Sequence, residues 1–357
     1  MQTPLVAWHA AHGTVLVDDR GVELPERFTT SDEEYRAVRE RAGLIDLSFR
    51  SHVRMTGEDR VGFLQGMISN DVKALKPGGG CAATLLTEQG RIVADLRVYA
   101  LESCFLLDVD ARIAGKLMET LSRFIIADDV EMEDLGSTQT ALGVQGPLAA
   151  QVLDAAAEPV ALAKDFHHCE VTIADTPVRV IRASDTGEDG YEILVPASQA
   201  ASVWQGLLMI GAPLGLQPVG HAALNVLRIE AGIPWYGLDM DEGRIVLEVG
   251  FEQAISFKKG CYLGQEVVER VTARGQVNRK LSGLIVHGNE LPHPGEKLLH
   301  DAHEVGWITS VAYSPRLQSP IALGYVRREQ GTPGTQLRID RQGTPMIAEL
   351  TTLPFPR

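Results

Sequence analysis

What most limits the fold of this chain is the punctuation of its short period-two segments. Residues 52–55, 82–86, 92–100 and 104–109 read as strands, with turn-forming residues between several of them. Segments 176–183 and 191–195 repeat the pattern around the turn DTGEDG, and the spacing there predicts a paired hairpin. Helical spacing intervenes at 31–41, 110–125, 197–210 and 219–231. In the first of these, Ser31 is expected as N-cap with Glu34 completing a capping box, and Gly43 is expected to end the helix. Gly232 and Pro234 stop the last. The order strand–turn–strand–helix occurs near 92–125 and again near 176–210, as an internal duplication would give. Past Lys280 the texture changes to short strands at 281–287, 305–313, 321–326 and 336–340, separated by Gly/Pro turns, which predicts a separate all-β module. Strands and helices do not alternate strictly. The expected class is therefore α+β, with antiparallel sheets flanked by helices, rather than a parallel α/β sheet.

A chain of 357 residues has room for two or three domains. The reading divides it into 1–140, 141–281 and 282–357. A net charge of −14 argues against bulk nucleic acid or an anionic membrane as the main partner, since phosphate binding needs a basic footprint. The start, MQTPLVAWHAAHG, has no basic region followed by an apolar one, so no signal peptide is expected. Gln205, Pro213, Gln217 and Pro218 interrupt the longest nearly apolar stretch, which reads as a helix plus loop instead of a membrane span. The four cysteines, Cys81, Cys104, Cys169 and Cys261, form no CxxC and no Cys/His spacing. A complete metal site within the chain is not expected, and the scatter suits a reducing cytoplasm.

One segment departs from this acidic background. Residues 257–281 read FKKGCYLGQEVVERVTARGQVNRKL. Lys258, Lys259, Arg270, Arg274, Arg279 and Lys280 are opposed there only by Glu266 and Glu269, a net +4 that marks a candidate anion site; the plainer alternative is a solvated charged face. Cys261 lies between Gly260 and Gly264, just before a helix expected at 265–271. A cysteine beside cations and a helix start is expected to carry more thiolate; buried apolar filler is the alternative, and the one kept for the other three thiols.

The run KGCYLGQE at 259–266 resembles the K-G-C-Y-x-G-Q-E signature of the YgfZ family, and Arg274-Gly275 and Arg279-Lys280 are similar to that family's downstream residues. The wider aminomethyltransferase superfamily, which includes the glycine cleavage T-protein, is resembled by RAGLIDLS (41–48), GRIVADL (90–96), LGVQGP (142–147), TGEDGYEI (186–193), LRIEAG (227–232), and YSP (313–315) with IAL (321–323). The resemblance implies three modules around a central hole, a C-terminal all-β barrel, and tetrahydrofolate, polyglutamylated or not, as ligand. It implies an accessory role in assembling, maturing or repairing iron–sulfur proteins, with those clients or assembly factors as partners and Cys261 as the working thiol. The alternative it leaves open is one-carbon transfer to tetrahydrofolate by an aminomethyltransferase or demethylase. Glu192 falls at the T-protein pterin glutamate, and Asp95 at its catalytic aspartate. Lys258, Lys259 and Arg274 are the implied holders of the folate glutamate tail. Ala94 and Leu224 stand where the T-protein is charged, which implies negligible glycine-cleavage activity. Read without the resemblance, the pattern leaves Glu192 open between a ligand and an exposed strand glutamate, and the plainer alternative for Asp95 is a surface pair with Arg97.

Overall fold

The computed structural model describes residues 1–159, 161–275, 277–341 and 346–356, with the Arg274 side chain outside the description. The chain divides into two compact units, Met1–Leu85 with Val93–Leu224 and Gln253–Leu263, and Leu86–Ile92 with Asn225–Glu252 and Gly264–Arg357.

The first unit opens with α1 (Val6–Ala11) and the hairpin β1 (Val15–Asp19) and β2 (Val22–Arg27). Helix α2 (Ser31–Glu40) follows. Its cap is Thr30 with Glu33, one residue earlier than the expected pair. Glu34 instead turns inward, where its carboxylate accepts the backbone N–H groups of Phe28, Thr29 and Gly220. Gly43 does not end the helix but lies within β3 (Ala42–Asp46), where a Cβ would meet Val38 and Val219 at 2.6 Å.

Two sheets form the body of this unit. One has five strands in the order β5 (Gly80–Leu86), β6 (Ile92–Ala100), β7 (Phe105–Asp110), β4 (Arg50–Thr56) and β8 (Glu131–Asp134). The other has six, in the order β10 (His168–Ile173), β11 (Thr176–Arg182), β12 (Gly190–Pro196), β9 (Gln139–Gln145), β3 and β13 (Leu216–Val219). All its register-assigned pairs are antiparallel except β13 with β3. Helices α5 (Ala149–Ala156) and α6 (Ala200–Gly211) cover one face of the six-stranded sheet. There Val152, Leu153, Val203, Trp204 and Leu207 pack on Leu44, Leu142, Val144, Val180, Tyr191 and Ile193. On β12 that face takes Tyr191, Ile193 and Val195, so strand alternation turns Glu192 to the opposite side. The unit also holds α3 (Arg60–Met67) and α4 (Ala114–Ser122), and α7 (His221–Glu230) begins at its end.

The second unit contains α8 (Val246–Val249), α9 (Gln265–Arg274) and a closed barrel in the order β14 (Arg279–Val286), β17 (Ser319–Arg327), β16 (His303–Ser314), β15 (Lys297–His300), β18 (Gln336–Asp340) and β19 (Met346–Thr351). Closure removes unpaired edges, and Leu284, Val286, Leu298, Ile308, Ala322, Leu337, Ile339 and Leu350 fill the interior. The α+β class and the C-terminal barrel are thus those expected. No helix among the described residues is long and apolar enough to cross a membrane.

Two of the quoted runs meet inside this unit. Arg228 is 1 % exposed; it donates to Asn225 Oδ1 at 2.9 and 2.8 Å and to Ser310 Oγ at 2.7 Å, and pairs with Asp239. Glu230 accepts from Ser314 and pairs with Arg316 at 3.4 Å. The two runs meet where Ser314 donates to Glu230, and the buried charges of LRIEAG are compensated by Asp239 and Arg316, so both runs are read as structural.

Candidate functional site

The loop between β11 and β12 is fixed by a glutamine. Gln145, buried at the end of β9, donates to the Ala183 carbonyl at 3.1 Å and accepts from the Asp185 N–H at 3.1 Å and the Thr186 hydroxyl at 3.3 Å. Gly190 makes this approach geometrically allowed, because a Cβ there would lie 2.2 Å from Gln145 Oε1. The same loop is tied at Glu188, which accepts from Arg39 at 2.5 Å. So anchored, the loop delivers Asp185 and then Glu192.

Glu192 is 1 % exposed, so of the two readings the pattern leaves open it is not the exposed strand glutamate. Its Oε1 accepts from Arg97 Nη1, and its Oε2 lies 3.3 Å from the Tyr99 hydroxyl. Arg97 also donates through Nη2 to Asp185 Oδ1 at 2.6 Å, and its Nη1 is 3.6 Å from Asp108 Oδ2. Asp108 accepts from Arg50 Nε at 2.9 Å and lies 3.3 Å from the same Tyr99 hydroxyl. Three carboxylates thus converge on Arg97, with Arg50 as the second cation.

Burial, reinforced by Asp108 and Asp185 and opposed by Arg97, pushes the Glu192 carboxyl up to about 8. Asp108 goes the other way: burial would raise it, but Arg50 and Arg97 hold it below the ordinary carboxylate range. Burial likewise raises Asp95, and its Oδ1 has no hydrogen-bond partner among the described residues. A buried polar cluster whose acids are shifted in opposite directions is the electrostatic pattern of a working site.

The expected surface pair of Asp95 with Arg97 is not formed; Arg97 goes to the acids on and beside β12. The alternation that puts Asp95, Arg97 and Tyr99 on one face of β6 does hold. Sequence reasoning missed Tyr99, Asp108, Asp185 and Arg50 as site members. The local signals were an acid two residues from an arginine on a strand and the place of Asp185 at the start of the turn DTGEDG.

The basic segment is arranged differently. Lys259 donates to three backbone carbonyls, those of Gln65 and Ile68 at 2.7 Å and Asn70 at 2.8 Å, and its ammonium lies 5.1 Å from the Tyr262 ring centroid. Its donors are committed to tying its loop to the end of α3 and the turn after it. Lys258 and Cys261 are exposed. Burial raises Cys104 and Cys169 and pushes Cys81 up to about 12. Arg274 lies at the end of α9, with its side chain outside the described residues. Ala94 and Leu224 are buried apolar residues at 0 % and 1 % exposure. Among the described residues no cluster of His, Cys, Asp and Glu could hold a metal ion.

Comparison with known proteins agrees with this architecture. Residues 5–259 match the model of the GCVT N-terminal domain, and residues 279–356 that of the glycine cleavage T-protein C-terminal barrel domain. An aminomethyltransferase of Chlorobium phaeobacteroides is 33% identical over 99% of this chain and 98% of its own length. One of Geobacillus kaustophilus is 32% identical over 100% and 98%. The crystal structure of the glycine cleavage system aminomethyltransferase T from Bartonella henselae superposes with a TM-score of 0.91 at 26% identity, covering 100% of this chain and 98% of that one. The matches name aminomethyltransferases and support the broader of the two resemblances; this chain belongs to the glycine cleavage T-protein, or aminomethyltransferase, family.

Proposed function

We propose that this protein binds a reduced folate at Glu192 and uses it in one-carbon transfer of the aminomethyltransferase kind. The observation that carries the reading is the buried Glu192 carboxylate, whose two oxygens face the separate donors of Arg97 and Tyr99. A pterin presents a ring N–H beside an exocyclic amine, and a carboxylate accepts such a pair side by side. The donor set fits, because the site is polar, buried and rich in acceptors. Tetrahydrofolate supplies the amine nitrogens that carry the one-carbon unit. Asp95, whose carboxyl is raised by burial and whose Oδ1 is unpartnered among the described residues, would be the group to hold or move a proton in that chemistry. Lys258 is exposed and able to meet a glutamate tail.

A second reading rests on Cys261. It is exposed, sits in KGCYLGQE, and is accompanied by Ala94 and Leu224 at positions where glycine-cleavage chemistry calls for charge. In that reading the bound folate serves an accessory role toward iron–sulfur proteins. The relatives favour the first reading, and the cysteine motif favours the second.

Two measurements separate them. Calorimetry with tetrahydrofolate on wild type and Glu192→Ala tests the shared premise. Loss of a charge-assisted bond should cost about 1.5–3 kcal/mol, and unchanged affinity in a folded variant removes it. Methylenetetrahydrofolate formation from an aminomethyl-lipoyl carrier then supports the first reading. Its absence, together with loss of iron–sulfur enzyme activity in cells carrying only Cys261→Ser, supports the second.

A further inference from the structure

The carboxylate assigned to the pterin is already engaged. Arg97 Nη1 donates to Glu192 Oε1, and the guanidinium, with its side chain 16% exposed, is the more exposed member of the pair. A guanidinium is a planar fork of N–H donors. The pyrimidine edge of a pterin, a ring N–H next to an exocyclic amine on the same carbon, is a fork of the same kind. The two compete for one acceptor.

Arg97 also has somewhere else to go. Its Nη2 holds Asp185 Oδ1 at 2.6 Å, while Oδ2 of the same buried carboxylate has no hydrogen-bond partner among the described residues. Asp108 Oδ2 stands 3.6 Å from Nη1. A small rotation therefore exchanges Glu192 for a two-pronged pair with Asp185 without leaving the arginine uncompensated. The Asp185 backbone is fixed by its N–H on Gln145, so this second acceptor is prepositioned.

We propose that Arg97 is a two-position latch: on Glu192 it occupies the pterin's place, and on Asp185 it releases Glu192 to the ligand. The inference rests on the folate reading of Glu192. Arg97 is then a specificity-determining residue, because only a ligand with a comparable planar donor fork regains what the arginine gives up.

The test is a binding cycle with 5-formyltetrahydrofolate, which is stable in air, on the full chain. Arg97→Lys keeps the positive charge but replaces the fork with one donor centre, and Arg97→Leu removes pairing altogether. If the latch is closed in nine molecules of ten, its removal tightens the apparent Kd about tenfold. Asp185→Asn weakens the open position, so it should loosen binding several-fold in the wild-type background and have no effect in an Arg97 variant. Weaker binding in both folded Arg97 variants, with Glu192→Gln also weaker, overturns the latch and leaves the folate site standing. Equal loss from Asp185→Asn in both backgrounds makes Asp185 a direct contact and likewise overturns it. Unchanged affinity in Glu192→Gln removes the folate assignment, and the latch with it.

Discussion

Replacing Lys259 by methionine separates a structural role from a ligand-binding one. The ammonium donates to three carbonyls, at 2.7, 2.7 and 2.8 Å, which belong to the end of α3 and the turn after it. The surrounding bonds show what is being held. Leu263 donates to the Gly66 carbonyl at 3.0 Å, Ser256 to the Ser69 carbonyl at 3.0 Å, and the Ser69 hydroxyl to the Ala254 carbonyl at 2.6 Å. Residues 254–263 are thus stitched to 65–70, with Lys259 at the centre of the seam. A hydrogen bond to a charged group contributes about 1.5–3 kcal/mol. Three on one ammonium are not additive, since its desolvation is incurred once, and methionine retains the apolar stem. A net loss of ~2–4 kcal/mol follows for Lys259→Met. Denaturant unfolding gives the total, and amide hydrogen exchange over 65–70 and 256–263 shows whether the loss is local. Folate affinity should stay within about twofold of wild type, as expected when the lost contacts are to the protein's own backbone carbonyls and not to the ligand. A stability change under ~0.5 kcal/mol, or weaker folate binding in a variant with unaltered exchange, would falsify this account and return Lys259 to the ligand.

Cys261 should be alkylated by iodoacetamide near neutral pH well before Cys81, Cys104 and Cys169, whose thiols are all raised by burial; peptide-resolved mass spectrometry that finds another cysteine reacting first refutes it. Burial, assisted by Arg179, pushes His168 down to about 4, below the ~6.5 of an unfolded histidine. The unfolded chain therefore binds the extra proton first, and stability contributed by this site falls as pH drops from ~6.5 toward 4, by ~2 kcal/mol after solvent screening. A His168→Gln protein should lose that part of the slope, and an identical pH–stability curve counts against it. Gln145→Ala, which leaves the Asp185 N–H and the Ala183 carbonyl without a side-chain partner, should cost about 2 kcal/mol and speed exchange over 183–189. Protection equal to wild type there would show the loop is held by other contacts.

Strands in which polar and apolar residues alternate were legible in the sequence, and largely apolar ones buried on both faces were not. Segment 92–100 coincides with β6 and 336–340 with β18, because apolar and polar side chains alternate in both. Strand β3 is buried at every position and β9 at all but the first, so neither carries alternation to read. Around α2, Thr30 and Ser31 are both good caps; the choice fell to Thr30 because Glu34 is drawn inward by three backbone donors, one of them from Gly220 far along the chain.

The candidate site illustrates the same limit in charged form. Glu192 and Asp95 were reachable because each lies in a run of family-like residues. Arg97 was visible only as a neighbour of Asp95, and a strand arginine two residues from an aspartate reads as a weak surface pair. What changes its meaning is non-local: β12 and the loop before it bring Glu192 and Asp185 to the face of β6, and burial makes their competition for one guanidinium costly to leave unresolved. Local sequence assigns a charge its strand and its face, and tertiary structure assigns it a partner. The function of a buried polar cluster depends on that second assignment. For this reason residues that local sequence reads only as part of a turn or a strand face, Asp185 and Tyr99 among them, decide how the recognisable glutamate behaves.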